Sequence, residues 1–352
     1  MIDSAATTAD RELHPPFTPQ KRGPSMTTLN TKRFAVAAAS LILTALASTS
    51  AAAGGERGTI GFVPEQLQVA SFQMVLHAMK QEGAVKGYKV EGGDAKNTSS
   101  GQQTAVENLI AAGAKCVVVR AKDKGAMAVV ADEAHARHAH VIAIYDTFPG
   151  ADVTIGQNQF AIGKATGELG GKYLVEHFGG KGDVMVLTAD SLGGATIDRS
   201  RGIIAGLQEV APDAKIVANV DAYATAKAEN AVSTALQAHP DIRLVATINT
   251  AGAQGALSAL QNVGKKTPQD ASVVPAFGAA TLSTLQEIKK GSVYGTVDAK
   301  TVQIGIAAVD LCDKLIRGES VDKTVTLEGY PVITKSNVDK QIDYLKTLTG
   351  GS

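Results

Sequence analysis

Residues 243–264 read RLVATINTAGAQGALSALQNVG, and this stretch decides the fold class. A short apolar run at residues 244–248 is followed by a polar break that begins at Asn249. From Ala253 onward, apolar residues recur at helical spacing until Gly264 ends the pattern. The stretch therefore predicts a buried strand, a polar loop and a helix, with Asn249 at the carboxyl end of the strand, where ligands of open parallel sheets bind.

The same unit recurs along most of the chain. Short β-branched runs alternate with helical patterns from about residue 59, which predicts parallel strands buried on both faces. Residues 110–130 and 236–257 share the order helix end, strand, loop and Gly-Ala helix. We therefore expect an α/β fold class with two similar doubly wound parallel-sheet lobes, and the cleft between them is the default ligand site.

Composition excludes several classes of function. The chain has 352 residues, 44% of them hydrophobic and 19% charged, which is typical of a globular protein. Its net charge is +0, so no basic surface points to nucleic acid. No Walker loop, G-x-G-x-x-G, nucleophile elbow or zinc-type Cys/His spacing is present. We expect no enzyme activity, no cofactor and no resident metal.

The first 53 residues do not fit the repeating pattern. Residues 1–25 are proline-rich and read as an extended leader or an upstream start. Residues 26–53 carry Lys32 and Arg33, an apolar run and a closing Ala51-x-Ala53, which predicts a secretory signal peptide. The apolar run is shorter than the ~20 residues of a membrane span, and no Cys follows it to carry a lipid anchor.

Two groups of residues invite chemistry that the pattern does not favour. Cys116 and Cys312 lie on apolar stripes and read as buried free thiols. His135, His138 and His140 suggest a metal site, but we favour a solvated helix end, with the first two on the helix and the third beyond it.

Four motifs together carry a resemblance to a known family. They are INTAGAQGAL at residues 248–257, DRSRG at 198–202, VIAIYD at 141–146 and QIG at 303–305. In this order and spacing they resemble the ribose-binding type of periplasmic sugar-binding proteins of ABC importers, over residues 59–334. LacI-type repressors share this fold but carry a DNA-binding helix-turn-helix where this chain has the predicted signal peptide.

The resemblance implies a type I periplasmic binding protein, in which a three-stranded hinge joins the two lobes. The first lobe is then residues 54–157 with 301–328, and the second is residues 158–300 with 329–352. The family's proteins are monomers that close on a ligand and deliver it to a membrane permease. The implied location is the periplasm.

Family roles transfer only where residues match. Arg199 matches an arginine that grips sugar hydroxyls, although it could instead pair with a neighbouring aspartate. Asn249 matches a ligand-contacting asparagine and could also cap the next helix. Asp146 stands where the family has a hydroxyl acceptor, and a turn-forming role is equally consistent. Phe72 and Tyr223 stand where aromatics stack on the sugar, and each could be a core residue.

Departures from the family pattern point to a ligand other than ribose. Thr250 and Gly278 replace expected aspartates. The first loop offers Gln68 and Ser71 in place of an asparagine and one aromatic. In the second of the three hinge segments between the lobes, Ala299 replaces a glutamine. The two neighbours of Ala299 complete the candidate ligand-binding set. These neighbours are Asp298 and Lys300, which could also form a hinge ion pair.

The sequence thus predicts a binding protein that delivers a small sugar or polyol to an ABC permease. The alternative is a periplasmic sensor that presents the same ligand to a chemoreceptor or sensor kinase. An enzyme on this fold is the third possibility.

Overall fold

The computed structural model describes residues 57–348. The predicted leader at residues 1–25 and signal peptide at residues 26–53 lie outside the described residues. Among the helices of the described range, none is long and apolar enough to cross a membrane.

Strands and helices alternate along the described chain. The strands are β1 Gly58–Val63, β2 Tyr88–Gly92, β3 Ala114–Val119, β4 His140–Ile144, β5 Val153–Gln157, β6 Gly182–Thr188, β7 Ala214–Asp221, β8 Ile242–Thr247, β9 Ser272–Pro275, β10 Gly295–Val297, β11 Thr324–Leu327 and β12 Val332–Thr334. The helices are α1 Ala70–Lys86, α2 Ser99–Ala111, α3 Lys124–Ala136, α4 Gln159–Phe178, α5 Gly194–Val210, α6 Thr225–Ala238, α7 Thr250–Asn262, α8 Leu282–Lys290, α9 Thr301–Ile316 and α10 Val338–Leu348.

The strands form two parallel sheets, one in each lobe. The first lobe is built on the order β11-β5-β4-β3-β1-β2, and the second on β7-β6-β8-β9. A small antiparallel pair, β10 and β12, adjoins β9 of the second lobe. The predicted α/β fold with parallel sheets in two lobes is confirmed. Strand β5 was absent from the sequence prediction, because its run VTIGQ has few apolar residues.

The chain passes between the lobes three times: from β5 to α4, from β10 to α9 and from β11 to β12. Hydrogen bonds tie these crossings to one another. The Gln157 side chain donates to the Ala299 carbonyl, and the Asn158 backbone N–H donates to the Tyr330 hydroxyl at 2.7 Å. The Asn158 amide also donates to Glu328 at 3.2 Å. The three segments therefore form one hydrogen-bonded bridge.

The prediction of free thiols is wrong. Cys116 on β3 and Cys312 on α9 form a disulfide with Cα atoms 5.7 Å apart. Both residues are fully buried, as the apolar stripes indicated. The pairing was not visible because 196 residues separate them and α9 returns to cover the first sheet only after the four-stranded sheet of the second lobe.

Candidate functional site

A cleft of about 750 Å³ lies between the lobes and is lined from both sides. The first lobe contributes Arg120, Tyr145, Asp146, Gln157, Thr326 and Glu328. The second contributes Gln159, Phe160, Gly194, Ala195, Thr196, Asp198, Arg199 and Phe277, with Asn158 on the crossing between them. Most of these residues follow the carboxyl ends of strands, where ligands of open α/β sheets bind. The volume is within the range typical of small-molecule sites.

Glycines fix the position of Arg199. A Cβ on Gly163 or Gly167 of α4 would lie 2.0 Å from a backbone oxygen of α5, and Gly202 and Gly206 of α5 meet α4 in the same way. The two helices therefore pack backbone against backbone. This contact sets the Arg199 side chain beside the first residue of α4.

The Arg199 guanidinium is held in one orientation by neutral groups. Its Nε and Nη2 donate to Gln159 Oε1 at 3.1 and 2.5 Å, and its Nη1 donates to the Ile248 carbonyl at 3.2 Å. Its Cζ lies 4.2 Å from the centroid of the Phe277 ring. Burial lowers the pKa of Arg199 to about 10, so the group is charged at neutral pH.

The proposed pairing of Arg199 with a neighbouring aspartate is absent from the described residues. Asp190 instead accepts from the Ser200 hydroxyl at 2.7 Å, and the Asp198 side chain is exposed. Arg199 thus presents a fixed donor group to the cleft.

The opposite wall combines one cation with two carboxylates. Arg120 forms an ion pair with Glu65, and its Nη2 lies 3.8 Å from Asp146 Oδ2. The Asp146 side chain remains 45% exposed, which leaves it open to a ligand. Glu65 Oε2 is buried and has no hydrogen-bond partner among the described residues.

Phe72 belongs to the edge of the first-lobe core rather than to the cleft lining. Its ring centroid lies 6.4 Å from those of both Phe62 and Tyr145. Tyr145 itself lines the cleft, with a φ of 67° at the end of β4. Burial raises the pKa of Tyr145 to about 12. Phe72 therefore contacts the candidate site through Tyr145.

Asn249 caps helix α7, which is the alternative role that its position suggested. Its Oδ1 accepts from the Gly252 N–H at 2.7 Å, and its Nδ2 donates to the Tyr223 carbonyl at 3.0 Å. Neither Asn249 nor Tyr223 is among the described residues that line the cleft, but the carbonyl of the adjacent Ile248 binds Arg199. Asn249 thus fixes the loop that supports Arg199.

The remaining candidates lie apart from the cleft lining. Gln68 is exposed and donates to Asp94 at 2.9 Å, and Ser71 lies half-buried in the first turn of α1. Asp298 Oδ1 accepts from the backbone N–H of Lys300 at 2.8 Å, and burial raises the Asp298 pKa. Lys300 has a φ of 58° at the start of α9. The hydrogen bond between Asp298 and the Lys300 backbone forms a turn. The hinge ion pair between the two side chains that we considered is absent from the described residues.

Most residues of the cleft lining escaped the sequence analysis, including three that contact or face the candidate ligand groups. Arg120 directly follows β3, Gln159 begins α4, and Phe277 follows β9. Their only common signal is a position next to a strand end or a crossing.

The histidines do not form a metal site. His135 Nε2 and His140 Nδ1 lie 3.1 and 3.6 Å from Asp152 Oδ2. His138 has a φ of 57° and lies beyond α3, so its prediction as a helical neighbour of His135 is wrong. No group of three or more metal-ligating side chains occurs within residues 57–348.

Comparison with known proteins identifies the family. The family model of the periplasmic binding protein domain matches residues 60–320. The chain belongs to this family. Periplasmic binding proteins are non-enzymatic components of transport, so the resemblance seen in the sequence and the prediction that the chain is not an enzyme are both confirmed.

Two curated relatives show which periplasmic binding proteins this chain is similar to. The ribose import binding protein of Bacillus subtilis is 28% identical over 271 residues, which cover 76% of this chain and 85% of that protein. The xylitol-binding protein of Mycolicibacterium smegmatis is 27% identical over 260 residues, covering 72% and 70%.

A solved structure supports the fold. The ABC transporter periplasmic solute-binding protein of Actinobacillus succinogenes with bound D-allose superposes with a TM-score of 0.68. It is 21% identical, and the match covers 81% of this chain and all of that one.

Proposed function

We propose that this periplasmic binding protein binds a small sugar or polyol in the interlobe cleft and delivers it to the membrane permease of an ABC importer. The observation that carries the proposal is the two-sided cleft, where Arg199 and Phe277 face Arg120 and Asp146. Relatives whose names specify ribose, xylitol and D-allose support the choice of ligand class.

Binding proceeds by closure of the two lobes. The ligand first meets the fixed donors of Arg199, and Asp146 then accepts hydroxyl protons from the other side. A contact that forms only when both walls meet the ligand stabilises the closed state over the open one. The bridge formed by the three crossings is the hinge, and it divides the chain at the lobe boundaries near residues 157, 300 and 328.

Recognition depends on paired hydrogen bonds. The guanidinium fork suits two acceptors at once, and Asp146 suits two neighbouring hydroxyls. A ligand with one hydroxyl inverted leaves a buried group unpaired, which costs more than the lost contact alone. Phe72, Tyr223 and Asn249 contribute by holding Tyr145 and the Ile248 carbonyl in place.

Delivery to a permease requires the protein to work outside the inner membrane. The predicted signal peptide at residues 26–53 supplies the export route in this proposal. We propose that the protein acts as a monomer, and a cleft lined from both sides by a single chain supports this.

A thermal-shift screen of the purified protein against pentoses, hexoses, polyols and sugar acids tests binding, because a ligand of the folded state raises Tm. Small-angle scattering with the best ligand tests closure, with a smaller radius of gyration expected. The Arg199→Met variant should lose both responses. Ligand binding without any change in radius would contradict closure, and failure of every sugar, polyol and sugar acid would contradict the function.

A further inference from the structure

The cleft contains a partly buried cation without a counterion. Arg199 forms three hydrogen bonds, all to uncharged oxygens, and it packs on an aromatic ring. No ion pair to Arg199 is found within residues 57–348. Two of its five N–H donors remain available. Buried charges in proteins are normally paired, because an unpaired one is costly to remove from water.

The residue that follows Phe277 offers no side chain to neutralise Arg199. Gly278, next to Phe277, is buried and donates its N–H to the Thr296 hydroxyl at 2.8 Å. A Cβ at this position would lie 2.4 Å from Thr296 Oγ1 and 2.8 Å from Thr284 Cγ2. A carboxylate side chain at residue 278 would therefore force Thr296 or Thr284 to move, and with glycine in place this position supplies no counterion.

The first-lobe wall of the cleft carries the opposite sign of net charge. Arg120 is matched by Glu65 and Asp146, so this group of three carries one surplus negative charge. The other carboxylates of the lining, Asp198 and Glu328, are exposed at its rim. The inner cleft is therefore positive on the second lobe and negative on the first.

We infer that the ligand is a sugar acid, a polyhydroxylated carboxylate that places its carboxylate against Arg199 and its hydroxyls against Asp146. This inference rests on the proposed function and narrows its ligand class. Closure would strip water from Arg199, and an anionic ligand supplies the missing counterion. The two free donors on one planar fork suit the two oxygens of a carboxylate. A neutral sugar would leave the charge unpaired in the closed state.

Matched pairs of compounds test the charge requirement in the purified protein. The pairs are D-ribonate and D-ribose, D-gluconate and D-glucose, and D-galacturonate and D-galactose, each measured by thermal shift and calorimetry. We expect at least one acid to bind at least tenfold more tightly than its neutral partner. Neutral sugars that bind as tightly as the acids would overturn this inference and leave the proposed function intact. Failure of every compound would overturn both.

Three variants separate charge recognition from folding. Arg199→Met should abolish acid binding, and Arg199→Lys should keep the preference for the acid at reduced affinity. Arg201→Met is the matched control, because Arg201 is exposed on the same helix and outside the cleft lining. Circular dichroism of each ligand-free variant checks folding. Unchanged acid binding by a folded Arg199→Met protein contradicts the inference.

Discussion

The guanidinium of Arg199 lies over the ring of Phe277, with 4.2 Å between Cζ and the ring centroid. Phe277 adopts a φ of 63°, a left-handed conformation that a bulky side chain rarely occupies. The strained backbone at Phe277 places its aromatic face beneath Arg199. Among the described residues of the second-lobe wall, Arg199 is the one charged group deep in the cleft. A ring in this position favours the charged form of the guanidinium and keeps its plane facing the ligand.

The Phe277→Leu variant should bind ligand about tenfold more weakly, because a desolvated cation–π contact contributes roughly 1–2 kcal/mol. Calorimetry with the best ligand measures the change. Phe178→Leu is the control, since Phe178 lies under Arg243 at 5.0 Å and does not line the cleft. Equal affinities for the protein and Phe277→Leu would show that the ring does not assist binding.

The Asn249→Ala variant should lower the free energy of unfolding by about 1–2 kcal/mol, since it removes the cap of α7 and the bond to Tyr223. Asn249→Ser retains a capping oxygen and should lose less. Urea denaturation of both variants provides the measurement. If Ala and Ser variants are equally stable, capping is not the role of this side chain.

Loss of the Cys116–Cys312 disulfide should lower the free energy of unfolding by about 2–5 kcal/mol, because the bond closes a long loop. The Cys116→Ser/Cys312→Ser protein should therefore melt at a lower temperature. Dithiothreitol should lower the Tm of the unmodified protein and leave that of the double variant unchanged. A reductant effect of equal size on both proteins would point to a cause other than this bond.

Asp313 makes the stability of the first lobe depend on acid pH. Burial of the Asp313 carboxyl opposes its ionisation and so raises its pKa. The hydrogen bond from the Tyr88 hydroxyl at 2.9 Å and the nearby positive charges of Arg317, Lys86 and Arg57 together outweigh this effect. The Asp313 pKa is therefore held below its usual range. This contribution is present above the unfolded-state pKa of about 3.9 and is lost as the pH falls through the folded-state value.

The Asp313→Asn variant should consequently be less stable than the unmodified protein at pH 7 by roughly 1–3 kcal/mol. The difference should shrink as the pH falls below 4, which denaturation at several pH values measures. Asp310→Asn is the control, because Asp310 lies on the same helix as Asp313 but is 43% exposed, and it pairs with Lys86 of α1. A difference that stays constant from pH 7 to pH 3 would contradict this account.

Local pattern was sufficient to predict much of the fold. The strand, loop and helix predicted from residues 243–264 are β8 and α7, because buried strands and amphipathic helices have periodic sequences. Arg199, which the resemblance carried by the DRSRG motif made a candidate, lines the cleft, and its contact with a ligand stays a prediction.

What the sequence could not show were contacts made across the fold. Phe277 and Gln159 support Arg199 only because α4, α5 and β9 meet in space, and no spacing within one segment reveals this. The cap that Asn249 forms on α7 is local and was considered from the sequence, but its hydrogen bond to the Tyr223 carbonyl depends on the loop after β7. The same reason explains the disulfide, whose two cysteines are brought together by the second crossing, from β10 to α9, which returns the chain to the first lobe.

The threefold crossing has a consequence for how this protein is made. The first sheet receives its edge strand β11 from residues 324–327, and helix α9, with its half of the disulfide, is synthesised just before it. A ribosome must therefore produce nearly the whole chain before the amino-terminal lobe can complete its fold. The late arrival of these segments delays folding of the first lobe during synthesis, which suits the export route that we propose, because a translocation channel admits an unfolded chain.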